Sequence, residues 1–462
     1  MNSNIKKFDS KEAFDAYRAT DGWAYPSVNY ITNNEESSIH YNNEFIMEWE
    51  DNDTVKTPAF YGDISYDWFK NWVDTCAKPC EIKKDGTDFA YIKRVSDSSS
   101  EVDDWTLRHG SNAGSSHYSA SGTSEYLQMV ELQNVNVGLF KDTKKGTKQV
   151  RFNFDKGCPA GFHKWFPNST NGTKLFGRYD ITPTTSTTAA GTDGIECCVG
   201  GNQGTLNTTT NVHEKGNWTA QRMYAGINYL NSQLDSSLQG KYQFMEETYW
   251  EHLVMSYIFC AYFKTFNSQN IYGGWKSDYG THAGNLLSGE TDGRKLHYSE
   301  YPNTTNSAYK FLHLENPLHG KQWIWGAGWR GEGTKYYMTF DDKVANEAQD
   351  LNISHADITG TIPSMSNTWI FDIDLYGVPS NIVGGSSSQG FFDAGWSNTA
   401  ANSRIAYLGG SSGTGADDGV FARYFDNDAS YEYWSLRGRL TMNRSVWPMG
   451  TGCVAQDESL IS

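Results

Sequence analysis

The sequence predicts an α+β fold, and three observations carry that prediction. One segment, Tyr242 to Phe266 (YQFMEETYWEHLVMSYIFCAYFKTF), repeats large apolar residues every four positions, as a buried helix does. Short runs rich in aromatic and β-branched residues recur on both sides of it, as strands do. Long polar stretches of Gly, Ser, Thr and Asn separate those runs. At 462 residues the chain exceeds the usual size of one core, so two domains or one large elaborated domain is expected. Hydrophobic residues make up 38%, with 16 Trp, 28 Tyr and 23 Phe, which is ample for a folded interior.

Residues 1–100 are mixed in composition, with extended-looking segments such as YPSVNYITNNEESSIHY bounded by Pro, Asn and Gly. They read as a smaller β-rich N-terminal region, separate from residues 101–462. From Glu125 to Phe140 (EYLQMVELQNVNVGLF), Leu127, Met129, Val135, Val137 and Leu139 share one parity, a strand signature interrupted by Glu131 and Gln133. The run VRFNF at 150–154 follows the turn sequence KDTKKGTK, and the two predict a hairpin. The next stretch, GCPAGFHKWFPNSTNGTKLFGRYD, has too little periodicity to assign. Residues 181–210 are rich in Thr, Gly and Ser and read as a long surface loop or linker.

In the helical segment, Trp250, Val254, Ile258 and Tyr262 run beside Tyr249, Leu253, Tyr257 and Ala261. These rows predict one broad apolar face, with Glu246, Glu247 and Glu251 off it. Its uncharged part is shorter than the roughly 20 residues a bilayer requires, so a core helix is expected and membrane insertion is not. Short strands are expected at KQWIWGAGW (321–329), KYYMTF (335–340), TWIFDIDLYGV (368–378), RIAYLGG and GVFARYF.

Charge and cysteine usage narrow the function classes. A formal net charge of -16 argues against nucleic acid or an anionic membrane as partner, since both need clustered Lys and Arg. Seven cysteines (Cys76, Cys80, Cys158, Cys197, Cys198, Cys260, Cys453) form no repeated pair spacing, so reduced thiols and no metal site are expected. The N-terminus lacks an apolar run of signal-peptide length, so folding in a cytoplasm is expected, and the triplets at Asn168, Asn217 and Asn303 then go unglycosylated.

Segments in the second half occur in a telling order: FNSQNIYGGW (266–275), FLHLENPLHGKQWIWGAGW (311–329), GGSSSQGFFDAGWSN (384–398), LGGSSGTGADDGVFARYFDNDAS and LRGRL. This order resembles the C-type lectin fold of the formylglycine-generating-enzyme type. That fold's Gly-Asn-x-Trp-x-Trp segment is matched by Gly320 to Trp325, with Lys321 in place of Asn. Its Gly-Gly-Ser-Trp segment is matched by Gly409 to Ser412, with Ser412 in place of Trp, and its final strand by Arg437 to Leu440. The resemblance covers Glu125 to Met442, with the specific motifs in 266–442. It is nearest to phage and prophage proteins of gut Bacteroidales, relatives in fold of the phage major tropism determinant.

The resemblance implies a virion-surface protein, made in the bacterial host cytoplasm, that binds a host-cell receptor, glycan or protein. It also implies a homotrimer, although no heptad run is present, and attachment to other virion proteins through residues 1–100. The enzyme's C-terminal cysteine pair has only Cys453 as a counterpart, and the related iron and calcium motifs do not occur, so neither a cofactor nor catalysis is expected. Such proteins are often diversified by retroelements that mutate adenines in Asn codons. That places the ligand-binding, variable region at 390–440: Tyr424, Asp426, Asn427, Tyr431, Tyr433 and Ser435 stand where relatives often carry Asn, and Ser412 and Thr414 lie within its reach.

The composition of this region suits binding on its own terms. Tyr and Trp give large rigid contact area with a polar handle and stack on the apolar faces of sugars. Asp417, Asp418, Asp426 and Asp428 are candidate acceptors for ligand hydroxyls. The expected binding set is Trp396, Tyr424, Asp426, Tyr431, Tyr433 and Trp434. Alternation on a strand turns Phe421 and Phe425 away from Tyr424, towards the core. Gly409, Gly410, Gly419 and Arg437 to Leu440 are assigned to the frame.

Two rival readings remain. A polysaccharide depolymerase needs two carboxylates about 5–9.5 Å apart across a glycosidic bond. Glu246, Glu247, Glu251 and the Asp417–Asp418 pair are available, but such acids on a solvated helix face or glycine-rich loop usually serve solubility, and His252, His313 and His319 lack metal-ligand spacing. The third reading is a structural capsid-decoration or tail component with no direct receptor role.

Overall fold

A capping box fixes where the central helix begins. Thr248 Oγ1 accepts from the Glu251 amide at 3.1 Å, and the Glu251 carboxylate accepts from the Thr248 amide at 3.0 Å. Two otherwise orphaned donors are thereby satisfied. The helix runs Tyr249–Phe263 and stops at Lys264, which takes the left-handed conformation at φ 56°. It is shorter than its apolar repeat predicts, because Tyr242–Glu246 form a strand instead. Pairing with Leu440–Arg444 claims that segment's backbone, and its Tyr242, Phe244 and Met245 are all buried.

The computed structural model describes residues 43–91, 93–94, 105–106, 126–169, 172–183, 195–197, 219–272, 298–299, 309–318, 323–347, 351–401, 403–410, 417–431 and 436–444. These form an α+β structure dominated by strands. The helix packs among three sheets, each of which contributes to one apolar cluster with it.

The first sheet is antiparallel, in the order Phe162–Lys164, Asn136–Asp142, Thr147–Asn153, Glu44–Glu50 and Ala59–Gly62. Its hairpin at 136–153 is the one predicted. The second, also antiparallel, runs Tyr242–Glu246, Leu440–Arg444, Thr173–Gly177, Tyr126–Gln133, Ala77–Lys83 and Phe89–Tyr91. The third is mixed, in the order Ile358–Thr361, Lys335–Met338, Trp323–Glu332, Arg404–Leu408, Arg423–Phe425, Ala394–Ser397 and Met365–Trp369, with Leu436–Arg437 paired in parallel to Trp323–Glu332. The four later strand segments expected from sequence, at 321–329, 335–340, RIAYLGG and GVFARYF, each hold a strand of this sheet; 368–378 instead divides between Met365–Trp369 and Asp372–Ile373.

Part of residues 1–100 is built into these sheets: Glu44–Glu50 pairs with Thr147–Asn153, Ala77–Lys83 pairs with Tyr126–Gln133, and Phe45, Met47 and Trp49 share the helix's apolar cluster. Three expectations are corrected. The parity run from Leu127 to Leu139 is two strands in two sheets, broken near Asn134, whose amide bonds the Gly172 carbonyl at 2.7 Å. Residues 181–210 include a two-stranded pair, Ile181–Pro183 with Ile195–Cys197. The helix has no solvated face: Glu246, Glu247, Glu251 and His252 are at most 1% exposed.

A helix buried all round must satisfy its polar atoms internally. Trp165 Nε1 donates to the Glu251 carbonyl at 3.0 Å, and Trp250 Nε1 to the Lys164 carbonyl at 2.9 Å. On the far side, the Tyr249 and Tyr257 hydroxyls donate to the Tyr376 and Leu375 carbonyls at 2.8 and 3.0 Å. Cys76, Cys80, Cys158 and Cys260 are free thiols. Among the described residues, no helix is long and apolar enough to cross a membrane.

Candidate ligand-binding face

Four aromatic residues stand in register across the third sheet. Trp396 pairs with Tyr424, Tyr424 with Tyr407, and Tyr407 with Trp325. Directly paired residues share a sheet face, so the four side chains form one row. Trp325 and Tyr407 are buried at 2% and 1% exposure, whereas Tyr424 and Trp396 are half-buried. The row begins in the core and ends at the surface.

The outer end is a cluster of rings. Trp396 and Tyr424 stack with centroids 4.0 Å apart and planes 29° from parallel. Trp323, two residues from Trp325 and on the same face, lies 4.2 Å from the Tyr424 ring and 6.5 Å edge-on from Trp396. On the opposite face Phe425 stacks on Trp329 at 4.3 Å, and Phe421 is fully buried. The alternation expected between Tyr424 and the two phenylalanines therefore holds. Trp323 and Trp329 lie on one strand yet join different clusters, because the register shifts between Gly326 and Gly331. Gly328 within that bulge has φ +79°, and a Cβ there would meet Ala345 Cβ at 2.6 Å.

Three buried acids pack against glycine backbone, and a buried arginine ties neighbouring segments together. An added Cβ would lie 1.9 Å from an Asp418 oxygen at Gly410, 1.8 Å from an Asp393 oxygen at Gly419 and 1.8 Å from a Glu246 oxygen at Gly438. Asp393 accepts from the Phe421 amide at 2.8 Å and from Gln269 Nε2 at 3.3 Å. Burial pushes its carboxyl up to about 8, against the opposing pull of those donors and of Arg423. Arg439 donates to the Gly177 and Glu315 carbonyls at 2.7 and 2.8 Å and to Asp180 at 2.8 Å. The frame role expected for Gly409, Gly410, Gly419 and 437–440 has this physical basis at Gly410, Gly419, Gly438 and Arg439.

Of the expected binding set, Trp396, Tyr424 and Tyr431 pack half-buried against one apolar cluster, with the Tyr431 ring 6.3 Å from Tyr407. Asp426 is half-buried but engaged elsewhere. It accepts from Asn427 Nδ2 at 2.8 Å, and burial raises its carboxyl against the nearby charge of Arg404, which projects from the sheet face opposite Tyr407. The Asn427 carbonyl accepts from the Ile405 amide at 2.9 Å. Asp428 is exposed and caps its own turn, accepting from the Ser430 amide and hydroxyl at 2.8 and 2.6 Å. Tyr433, Trp434, Ser412, Thr414 and Ser435 lie outside the described residues.

The expected acceptor Asp418 is corrected: it is 0% exposed and belongs to the frame, so it cannot meet a ligand or act as half of a surface acid pair with Asp417. Asp417 is half-buried, with Asn367 donating to it. Glu246, Glu247 and Glu251 are likewise enclosed, their carboxylates turned to Gly438, Arg439, His252 and Lys174. Among the described residues no group of three or more His, Cys, Asp or Glu is placed to hold a metal. Trp323, Trp325 and Tyr407 were not in the expected set; the alternate tryptophans of KQWIW, sharing a parity, were the available signal.

No protein-family model matches the chain, and no curated protein matches it.

Proposed function

We propose that this protein is a non-enzymatic virion appendage that recognises a host-cell surface receptor through the Trp396–Tyr424 face. The observation that carries the reading is the half-exposed ring stack at the end of an otherwise buried aromatic row. Its rings are held by the core, so little conformational freedom is lost when a ligand covers them. Flat aromatic surface of this kind suits the apolar face of a sugar ring or an apolar side chain of a surface protein. Order and spacing of the motifs between 266 and 442 support a C-type lectin-like fold of the formylglycine-generating-enzyme type, and with it a virion-surface location, homotrimeric assembly and attachment through residues 1–100.

The test is adsorption of purified protein to host cells, together with a glycan array. The Trp396→Ala, Tyr424→Ala double variant is expected to fold and to lose binding by tenfold or more, as about 1.4 kcal/mol of lost contact gives. Unchanged adsorption by the folded variant overturns the proposed face. Release of oligosaccharides from host polysaccharide by the wild-type protein overturns the non-enzymatic reading.

A further inference from the structure

Lys174 and Asn443 stand beside one another on adjacent antiparallel strands. Leu175 pairs with Met442, so the residues one step along on each strand are Lys174 and Asn443, with side chains on the opposite sheet face. That face looks onto the first turn of the central helix. Lys174 is 0% and Asn443 6% exposed. A single oxygen, Asp342 Oδ2, accepts from Lys174 Nζ at 2.8 Å and from Asn443 Nδ2 at 2.8 Å. The two nitrogens therefore lie within two hydrogen-bond lengths of each other. Glu251 Oε1 also accepts from Lys174 Nζ, and Asn168 Nδ2 donates to the other Asp342 oxygen. Asn443 Oδ1 is buried and has no hydrogen-bond partner.

We propose that Lys174 and Asn443 join in an intramolecular isopeptide bond formed by the protein itself. The arrangement brings together a nucleophile, an amide acceptor and a proton carrier in a dry site, where proximity replaces a bimolecular encounter. Burial disfavours the Lys174 ammonium, but the two carboxylates favour it and prevail, so a proton must leave before attack. Glu251 is the acceptor for that proton, since burial pushes its carboxyl up to about 7 against the pull of Lys174.

The freed Lys174 amine attacks Asn443 Cγ, forming the Nζ–Cγ bond. The Cγ–Nδ2 bond then breaks, and Nδ2 leaves with protons returned from Nζ and Glu251. In balance, one ammonium side chain and one primary amide become one secondary amide and one ammonium ion. No oxidant or co-reactant is required. Asp342, held below the usual carboxylate range by the Lys174, Asn168 and Asn443 contacts despite its burial, stays ionised. An ionised carboxylate is a poor electrophile, so its part is to hold both nitrogens in place.

The test is a tryptic map of the purified full-length protein after denaturation and reduction. The expected product is a branched peptide joining residues 165–178 through Lys174 to residues 440–444 through Asn443, lighter by one ammonia than its two parts, with cleavage after Lys174 blocked. Recovery of both segments as linear peptides at full mass overturns the proposal, as does a product lighter by one water that links Lys174 to Asp342 or Glu251. Lys174→Arg is expected to abolish the branched peptide, and Glu251→Gln to leave linear peptides in large excess. Where either variant fails to fold, the wild-type map decides the question alone.

Discussion

Trp396 and Tyr424 face one another across a parallel ladder with their rings 4.0 Å apart, the outermost contact of a row that starts at Trp325. A double-mutant cycle on the pair, read by chemical denaturation, should return a coupling of about 1 kcal/mol. Additive single effects would show that the stack is two independent surface rings.

The glycines packed against the buried acids should tolerate no side chain. A Cβ at Gly419 or Gly438 would overlap a carboxylate oxygen at 1.8 Å, and neither Asp393 nor Glu246 is free to retreat from its buried position. Gly419→Ala and Gly438→Ala are each expected to cost at least about 2–3 kcal/mol. Gly333→Ala, where a Cβ would meet nothing within 4 Å, carries a positive φ of 57° and should cost only about 1 kcal/mol. Thermal midpoints of the three variants test the order.

Asp393 makes stability depend on pH in an unusual direction. Its folded carboxyl is raised to about 8 by burial, above an unfolded value near 4. Between those values the folded state holds a proton that the unfolded state has released, so this contribution is full at low pH and is lost as pH rises from about 4 to about 8. The slope is at most about 1.4 kcal/mol per pH unit. Asp393→Asn should flatten the fall in thermal midpoint across that window relative to wild type; equal slopes would count against a neutral buried acid.

Thr248→Ala should weaken the start of the central helix by about 1 kcal/mol, since it removes the acceptor for the Glu251 amide. Thr248→Ser should restore most of it, and urea midpoints of the two variants provide the comparison.

Much of the fold was legible because its signals are local. The apolar repeat from Tyr249 to Tyr262 announced the helix, KDTKKGTK announced its hairpin, and the alternation around Tyr424 separated surface from core. What sequence could not convey was enclosure. Glu246, Glu247 and Glu251 read as solvated because charged residues usually are, and only tertiary packing supplies their partners, Lys174 from a strand of the second sheet and Arg439 from the residues just before Leu440–Arg444. The helix start was misplaced for a different reason: Thr248-Tyr249-Trp250-Glu251 carries a capping-box signature that the longer apolar repeat obscured. Register was the other hidden quantity, since Trp325, Tyr407, Tyr424 and Trp396 become neighbours only once four strands are aligned.

The Leu440–Arg444 strand lies inside its sheet, between Tyr242–Glu246 and Thr173–Gly177, although it is the last described segment of the chain. During synthesis both neighbours leave the ribosome long before it does. Until residue 444 emerges, the strands Tyr242–Glu246 and Thr173–Gly177 each present an open edge where Leu440–Arg444 will pair, and Phe244 and Leu175 lack the Leu440 and Met442 side chains of their shared apolar cluster, surfaces that invite pairing with other chains. Closure of this sheet is thus expected to wait for its last described strand, and nonsense mutations far downstream of the helix should yield chaperone-bound or aggregated chains rather than shortened folded ones.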